Sequence, residues 1–233
     1  MEKFSDPEIS RRQLLRSGLT VTAASFLIGG LEGTFPAQAH AQSPLTPDTA
    51  LGALMDGNKR FMSGGLTHHE QDLAVLKQHT EEKQEPFAAV LSCADSRVPV
   101  ELVFDQSIGH IFVTRVAGNI ITAEIIGSLE YGAVVLGTKV ILVMGHSNCG
   151  AVKATIQGKD VPGQISALFP HIQPAVNQAG SDLASATKAN AKIQATLLRE
   201  SSTVISGLVK AGSVKVVAGY YDLGSGSVTL LES

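Results

Sequence analysis

Short apolar runs alternate with amphipathic stretches over most of this chain. Residues 47–63 carry apolar side chains at helical spacing and end at two glycines, which predicts a helix. Residues 70–83 are polar and are predicted to form a second helix. The next run, FAAVLS at 87–92, is almost entirely apolar, which is typical of a strand buried on both faces.

The alternation continues to the C-terminus. Strands are predicted at 110–115, 138–145, 213–223 and 227–232, with a glycine-rich hairpin before the last. Helices are predicted over 121–137, from near Asn148, and over 181–210 as one long helix or two shorter ones. This order predicts an α/β fold: a central, mainly parallel β-sheet flanked by helices, with an antiparallel C-terminal edge strand. Such sheets bind ligands at the carboxyl ends of their strands.

The composition indicates a globular domain and argues against one class of partner, but it does not indicate a function. The chain has 233 residues, of which 44% are hydrophobic, so it can bury the core of one sizeable domain. Its net charge of -3 and the lack of a basic block argue against a nucleic-acid partner.

The first 41 residues differ from the rest and resemble an export signal. SRRQLLR at 10–16 is basic, residues 17–31 are weakly apolar, and AHA at 39–41 fits a small-x-small cleavage site. The paired arginines match the twin-arginine type of signal, and an ordinary signal peptide is the alternative. We therefore predict cleavage after Ala41, a periplasmic location and a catalytic domain over 42–233. The apolar stretch is too short and mild to predict a stable membrane span.

Both cysteines of the chain lie near the ends of predicted strands. Cys93, in CADSR, directly follows the strand at 87–92, and Cys149, in GHSNCG, follows the strand at 138–145 by a few residues. His146 lies three residues before Cys149. Two thiolates and one imidazole form a three-ligand zinc set with an open fourth position, the layout of a catalytic zinc site. Soft ligands of this kind favour zinc over magnesium or calcium. Two cysteines in an exported protein can also form a disulfide, and the residues alone leave that alternative open.

CADSR followed by HSNC resembles the paired motif of the β-class carbonic anhydrases. Six further segments fall in the order typical of that family: GNKRF, FDQ, RVAGN, SLEYG, GHSNCGAVKA and YDLGSG. The resemblance extends over nearly all of the chain after residue 41. It implies the β-carbonic anhydrase fold and the reversible, zinc-dependent hydration of carbon dioxide to bicarbonate and a proton.

The resemblance also implies a role for particular residues. Cys93, His146 and Cys149 would bind one Zn²⁺ per subunit, and Asp95 with Arg97 would be the catalytic dyad. The substrate-binding positions would be Gln84, Phe112, Ala117, Tyr131 and Gly150. The family's unit is a homodimer or a dimer of dimers, and Gln84 would reach the site from the neighbouring subunit.

The dyad has a physical interpretation of its own. In an extended or turn backbone, side chains at i and i+2 point the same way, so Asp95 and Arg97 can pair through two parallel hydrogen bonds. By the resemblance, Asp95 held in this way leaves the fourth metal position open, and released Asp95 can bind the metal in a closed state. The chain has no Trp, which some relatives use to stabilise the closed state, so we predict the open one. A simple ion pair at a strand end is the alternative.

Two other functions fit the same residues. One is hydrolysis of a carbon dioxide analogue such as carbonyl sulfide or carbon disulfide, because relatives with this fold use the same ligands for it. The other is a non-enzymatic zinc-binding or thiol-redox protein, in which the cysteines would serve only to hold metal or to exchange electrons.

Overall fold

The computed structural model describes residues 43–67 and 83–232. The predicted export signal lies outside the described residues, and so does the predicted helix over 70–83 apart from its last residue. Among the described helices, none combines the length and the apolar character that crossing a membrane requires.

The first described helix, α1 (Pro47–Ser63), confirms the predicted segment 47–63. Thr46 and Thr49 cap its start reciprocally, since each side chain accepts a hydrogen bond from the other's backbone N–H. Gly64 ends the helix in the left-handed conformation, at φ 71°. The helix buries Leu54 completely against the sheet.

Five strands form one sheet in the order β2-β1-β3-β4-β5. The first four are parallel and the last is antiparallel, as the alternation of elements predicted. Their bounds are Ala88–Ser92 for β1, Ile111–Arg115 for β2, Val140–His146 for β3, Lys215–Tyr221 for β4 and Val228–Leu231 for β5. Each lies within two residues of a predicted strand, so the α/β fold class is confirmed.

Six more α-helices and two 3₁₀ segments connect the strands in the described part of the chain. The helices are α2 (Val100–Val103), α3 (Ala123–Val134), α4 (Gly150–Gln157), α5 (Phe169–Ala179), α6 (Leu183–Ser201) and α7 (Thr203–Lys210). The 3₁₀ segments are Ala117–Asn119 and Gly163–Leu168. The predicted stretch 181–210 forms two helices because Ser202 has an extended backbone and caps α7 by accepting from Ile205 N at 3.0 Å.

The core lies on both faces of the sheet, because β1 and β3 are buried at every residue. On one face the strands pack against α1 and Phe104, through Ala88, Val90, Val140, Leu142 and Met144. On the other they pack against α3, α6 and α7, through Ala89, Leu91, Ile141 and Val143. This two-sided burial explains why the strands have continuous rather than alternating apolar sequences.

The strand order creates a crevice at one edge of the sheet. From β1 the chain moves to β2 on one side and later returns to place β3 on the other side of β1. Ser92 pairs with Met144 in the β1–β3 register, so Cys93 leaves β1 beside the residues that end β3. Neighbouring strands are about 4.8 Å apart, and the carboxyl ends of strands at such a crossing are the usual ligand position.

Candidate metal centre

The three predicted metal ligands meet at this crevice. Cys93 follows β1, His146 is the last residue of β3 and Cys149 directly precedes α4. Their ligand atoms all lie within 4.8 Å of one another, and the three side chains are buried. Both cysteines are free thiols. The described residues therefore form a compact set of two sulfurs and one imidazole.

A turn, and not helical spacing, brings His146 and Cys149 to the same centre. The helix was predicted to begin near Asn148, and it begins at Gly150, with Cys149 as its N-cap. Asn148 has a left-handed backbone, at φ 54°, which reverses the chain between the two ligands. Asparagine tolerates this conformation better than most residues. Cys149 consequently points back toward the end of β3.

The hydrogen bonds around His146 fix which ring nitrogen faces the cluster. Nδ1 donates to the carbonyl oxygen of Ser147 at 2.9 Å, so Nε2 is unprotonated when the ring is neutral. Nε2 is buried and has no hydrogen-bond partner among the described residues. Ser147 itself is held by Tyr221, whose carbonyl accepts from Ser147 N at 2.9 Å, and by Leu223 N, which donates to Ser147 Oγ at 2.8 Å. A rigidly oriented, unpartnered imidazole nitrogen beside two sulfurs fits a bound metal ion.

The pKa values of the two thiols shift in opposite directions. The pKa of Cys93 is lowered, first because Cys149 donates a hydrogen bond to its sulfur, and also because Gly118 N donates to the same sulfur. The pKa of Cys149 is raised, since it supplies that bond and lies beside the resulting negative charge, and burial adds to the rise. Without a metal, deprotonation is therefore favoured at Cys93 and disfavoured at Cys149. A divalent metal ion would favour deprotonation of Cys149 as well, because its positive charge stabilises the second thiolate.

Asp95 and Arg97 form the predicted pair. Arg97 Nε donates to Asp95 Oδ1 at 2.9 Å and Nη2 donates to Oδ2 at 2.7 Å. These hydrogen bonds, with a further one from the Arg97 backbone, keep the pKa of Asp95 well below its ordinary value. Asp95 Oδ2 lies 3.8 Å from His146 Nε2, so the carboxylate borders the three candidate ligands.

Two further residues organise the cluster, and the sequence interpretation assigned neither a role. Arg115, at the end of β2, donates to the carbonyl oxygen of Cys93 at 2.9 Å and also to that of Asp95, which holds the turn between them. Gly118 donates its backbone N–H to Cys93 Sγ at 3.3 Å. Both residues belong to RVAGN at 115–119, a segment that carried the family resemblance, which was the only signal of their importance.

Of the predicted substrate positions, some lie next to the candidate ligands and one lies far from them. Ala117 directly precedes Gly118, and Gly150 directly follows Cys149, so both adjoin the cluster along the chain. Phe112 on β2 and Tyr131 on α3 contact each other, with ring centroids 6.2 Å apart. Gln84 is exposed before β1, at the opposite end of that strand from Cys93. Their roles in substrate binding stay predictions.

The solved structures that this chain resembles include β-carbonic anhydrases. Two tetrameric β-carbonic anhydrases from the filamentous ascomycete Sordaria macrospora include a chain that matches with a TM-score of 0.64. That match has 19% identity and covers 80% of this chain and 98% of that one, so it concerns the fold.

Sequence comparison decides the family. The carbonic anhydrase family model matches residues 88–228. A carbonic anhydrase of Mycolicibacterium smegmatis is 38% identical over 194 residues, covering 79% of this chain and 93% of that protein. Carbonic anhydrase 2 of Mycobacterium tuberculosis is 33% identical over 192 residues, covering 79% and 92%.

The chain belongs to the β-carbonic anhydrase family. It is therefore an enzyme, which decides against the non-enzymatic alternative, and the general reaction of the family is the hydration of carbon dioxide. The choice between carbon dioxide and its sulfur analogues stays a prediction.

Proposed function

We propose that this β-carbonic anhydrase family member catalyses the zinc-dependent, reversible hydration of carbon dioxide to bicarbonate and a proton. One observation carries the proposal: the two sulfurs and one imidazole nitrogen lie within 4.8 Å of one another, and the carboxylate of Asp95 borders them. The first feature provides a metal site with soft ligands, and the second provides an oriented acceptor beside it.

The donors fit Zn²⁺ by their chemistry. Thiolate and imidazole are the ligands that zinc prefers in proteins, and three protein ligands leave a coordination position for a small molecule. When bound, Zn²⁺ would supply a water molecule whose pKa is lowered from about 15.7 toward about 7. Cys93, His146 and Cys149 would hold the ion, and the Nδ1–Ser147 hydrogen bond would keep the imidazole in the required tautomer.

The dyad would orient the attacking water. Asp95, which stays ionised beside Arg97, can accept a hydrogen bond from a water at the centre through Oδ2 and direct a lone pair of that water toward carbon dioxide. A carbon–oxygen bond then forms, one carbon–oxygen π bond opens, and bicarbonate leaves while the released proton passes to solvent buffer. Arg97 also bonds the carbonyl oxygen of Asn148 at 3.3 Å, which ties the dyad to the turn that carries Cys149.

The activity can be tested on the chain over 42–233, with zinc content measured in the same sample. We expect stopped-flow carbon dioxide hydration at pH 8.5 by the zinc-loaded protein, and loss of both zinc and activity in Cys149→Ala. Ser147→Ala keeps every ligand and serves as a milder comparison. A zinc-loaded protein without carbon dioxide hydration, or one that turns over carbonyl sulfide alone, would contradict the proposal.

We further propose that the active unit is at least a homodimer. β2 is an outer strand of the sheet. On the neighbouring α3, Tyr131 and Val134 are 48% and 49% exposed, and Val135, which directly follows the helix, is 36% exposed. Apolar side chains beside a strand edge favour a partner chain that covers them. A second copy would also supply Gln84, which one chain places at the far end of β1 from its own metal centre.

Mixed subunits test this arrangement. Gln84→Ala removes the glutamine side chain, so its homodimer should have reduced activity. Cys149→Ala removes a metal ligand, so its homodimer should have no activity. In a heterodimer, the Cys149→Ala subunit still provides Gln84 to the intact metal centre of its partner. We expect co-expressed subunits to regain activity above the sum of the separate variants. Simple averaging of the two activities would argue against a shared site.

We also propose export of the folded protein to the periplasm by the twin-arginine route. The paired arginines, Arg11 and Arg12, and the small residues before Gln42 support it. Export after folding would protect the thiols, because a bound metal would already hold both in an oxidising compartment. Changing both arginines to Lys should leave active enzyme in the cytoplasm, whereas Arg16→Lys, which keeps the expected pattern, should be exported. Normal export of the double variant would refute this route.

A further inference from the structure

Gly118 lies between the metal centre and helix α6 and bonds to both. Its N–H donates to Cys93 Sγ at 3.3 Å, and its carbonyl oxygen accepts from Asn190 Nδ2 at 2.8 Å. Asn190 is completely buried and lies 72 positions away along the chain. The direction of the hydrogen bond from Gly118 N to the Cys93 sulfur therefore depends on how Asn190 holds the carbonyl group of Gly118.

Gln194 holds the same segment one helical turn further along α6. Its Oε1 accepts from Ile121 N at 2.8 Å, and its Nε2 donates to the carbonyl oxygen of His171 at 2.9 Å and to Asn190 Oδ1 at 3.2 Å. Residues at i and i+4 of a helix share a face, so the two amides bind residues 118–121 together. Gln194 is 1% exposed, and water therefore competes little for these bonds.

The opposite side of Gly118 is closed by packing. The residue has a left-handed backbone, at φ 74°, and an added Cβ would lie 2.7 Å from Ile172 Cδ1 and 3.3 Å from the Ala151 side chain. Ile172 belongs to α5, the same helix that supplies the carbonyl oxygen of His171 to Gln194. The 118–121 segment is thus held by the α6 amides on one side, and the side chains of Ile172 and Ala151 close the other side of Gly118.

We propose that Asn190 and Gln194 are positioning residues for the metal centre, which hold residues 118–121 so that Gly118 N–H donates to the Cys93 thiolate. This inference rests on the proposed metal site. A hydrogen bond to a ligand sulfur withdraws electron density from it and fixes its orientation, which changes both the affinity for the metal and the metal–sulfur bond. Loss of such outer contacts typically lowers metal affinity about 10- to 100-fold.

The test uses the metal-free protein over 42–233 and a spectroscopic probe of the metal–sulfur bond. Co²⁺ bound by thiolates gives a sulfur-to-metal charge-transfer band, whose energy and intensity report the state of the sulfur. The variants are Asn190→Ala and Gln194→Ala. The matched control is Asn58→Ala, because Asn58 is also an almost fully buried asparagine bound to backbone groups, at Val103, Gly226 and Val228.

All three variants should melt at a lower temperature, since each loses buried hydrogen bonds. We expect Asn190→Ala and Gln194→Ala also to shift the charge-transfer band and to weaken Zn²⁺ binding about 10- to 100-fold, with the band of Asn58→Ala unchanged. The inference would be overturned if both α6 variants kept the charge-transfer band and the zinc affinity of the wild type. Asn190 and Gln194 would then have only a structural role. If the wild-type protein shows the band with Co²⁺ but does not hydrate carbon dioxide when it is loaded with Zn²⁺, the proposed function is overturned instead. A band shift in the variants would then still support this inference.

Discussion

Arg97 binds both carboxylate oxygens of Asp95, with Nε 2.9 Å from Oδ1 and Nη2 2.7 Å from Oδ2. The pair lies beside the candidate metal ligands, since Oδ2 is also 3.8 Å from His146 Nε2. A planar, two-pronged contact of this kind fixes the rotation of the carboxylate as well as its distance. The orientation of Asp95, and not only its charge, therefore depends on the guanidinium.

Arg97→Lys tests this dependence. Lysine keeps the positive charge but cannot form two parallel bonds, so Asp95 should turn away from its working orientation or approach the metal. We expect kcat/KM for carbon dioxide hydration to fall about 100-fold or more. Arg199→Lys is the control, because Arg199 bonds the carbonyl oxygen of Val216 on the sheet. Activity of Arg97→Lys within twofold of the control would show that charge alone suffices.

Gly118→Ala tests the close approach at the metal centre. The left-handed backbone costs an alanine about 1–2 kcal/mol, and contact of the new methyl group with Ile172 adds about 1–3 kcal/mol. Gly109→Ala is the control, since Gly109 has φ 88° with no atom within 4 Å of an added Cβ. Urea unfolding of the metal-free proteins should give the larger loss for Gly118→Ala, together with weaker zinc binding. Equal losses and unchanged zinc binding would contradict the packing argument.

Asn58 joins three separate parts of the fold. Its Nδ2 donates to the carbonyl oxygens of Val103 at 3.0 Å and Gly226 at 2.9 Å, and its Oδ1 accepts from Val228 N at 2.9 Å. Asn58→Ala leaves these buried groups without partners, and we expect it to lower the free energy of unfolding by about 2–4 kcal/mol. Asn177→Ala, at an exposed position on α5, should cost about 0.5 kcal/mol or less in the same denaturation experiment. Similar losses in the two variants would mean that water replaces the Asn58 bonds.

Asp182 should make the stability of α6 depend on pH. Hydrogen bonds from the Ser185 side chain and then its backbone N–H, 2.8 Å away, lower the pKa of this N-cap carboxyl. Because the folded pKa lies below the unfolded value of about 3.9, the stabilisation is complete above that value and disappears as the pH falls through the folded pKa. Asp182→Asn keeps an acceptor but does not ionise.

The measurement is the melting temperature of Asp182→Asn relative to wild type from pH 7 to pH 2. The wild type should be the more stable at pH 7, and its advantage should vanish in acid. Asp160→Asn removes the same charge from the loop after α4, and so corrects for the change in net charge. An advantage that persists at pH 2 would show that the cap acts through packing.

The sequence determined the architecture because its apolar runs have the length and continuity that a doubly covered parallel sheet requires. All five described strands lie within two residues of a predicted one. The break within 181–210 could not be decided from periodicity, since it depends on the extended backbone and capping side chain of Ser202. Helix α5 was not predicted, because its interior Pro174 argues against a helix when only the sequence is read.

The sequence by itself also identified the candidate reactive groups: Cys93, His146 and Cys149, with Asp95 and Arg97 beside them. The motif residues lie at strand ends and the pair lies at i and i+2, but the residues alone left a disulfide and a simple ion pair open, and the family resemblance supplied the assignment. Only the tertiary structure decided what orients them. Gly118 reaches Cys93 across 25 positions, and Asn190 reaches Gly118 across 72. Such contacts depend on strand register and helix packing, which place distant backbone groups together and leave no periodic trace in the sequence.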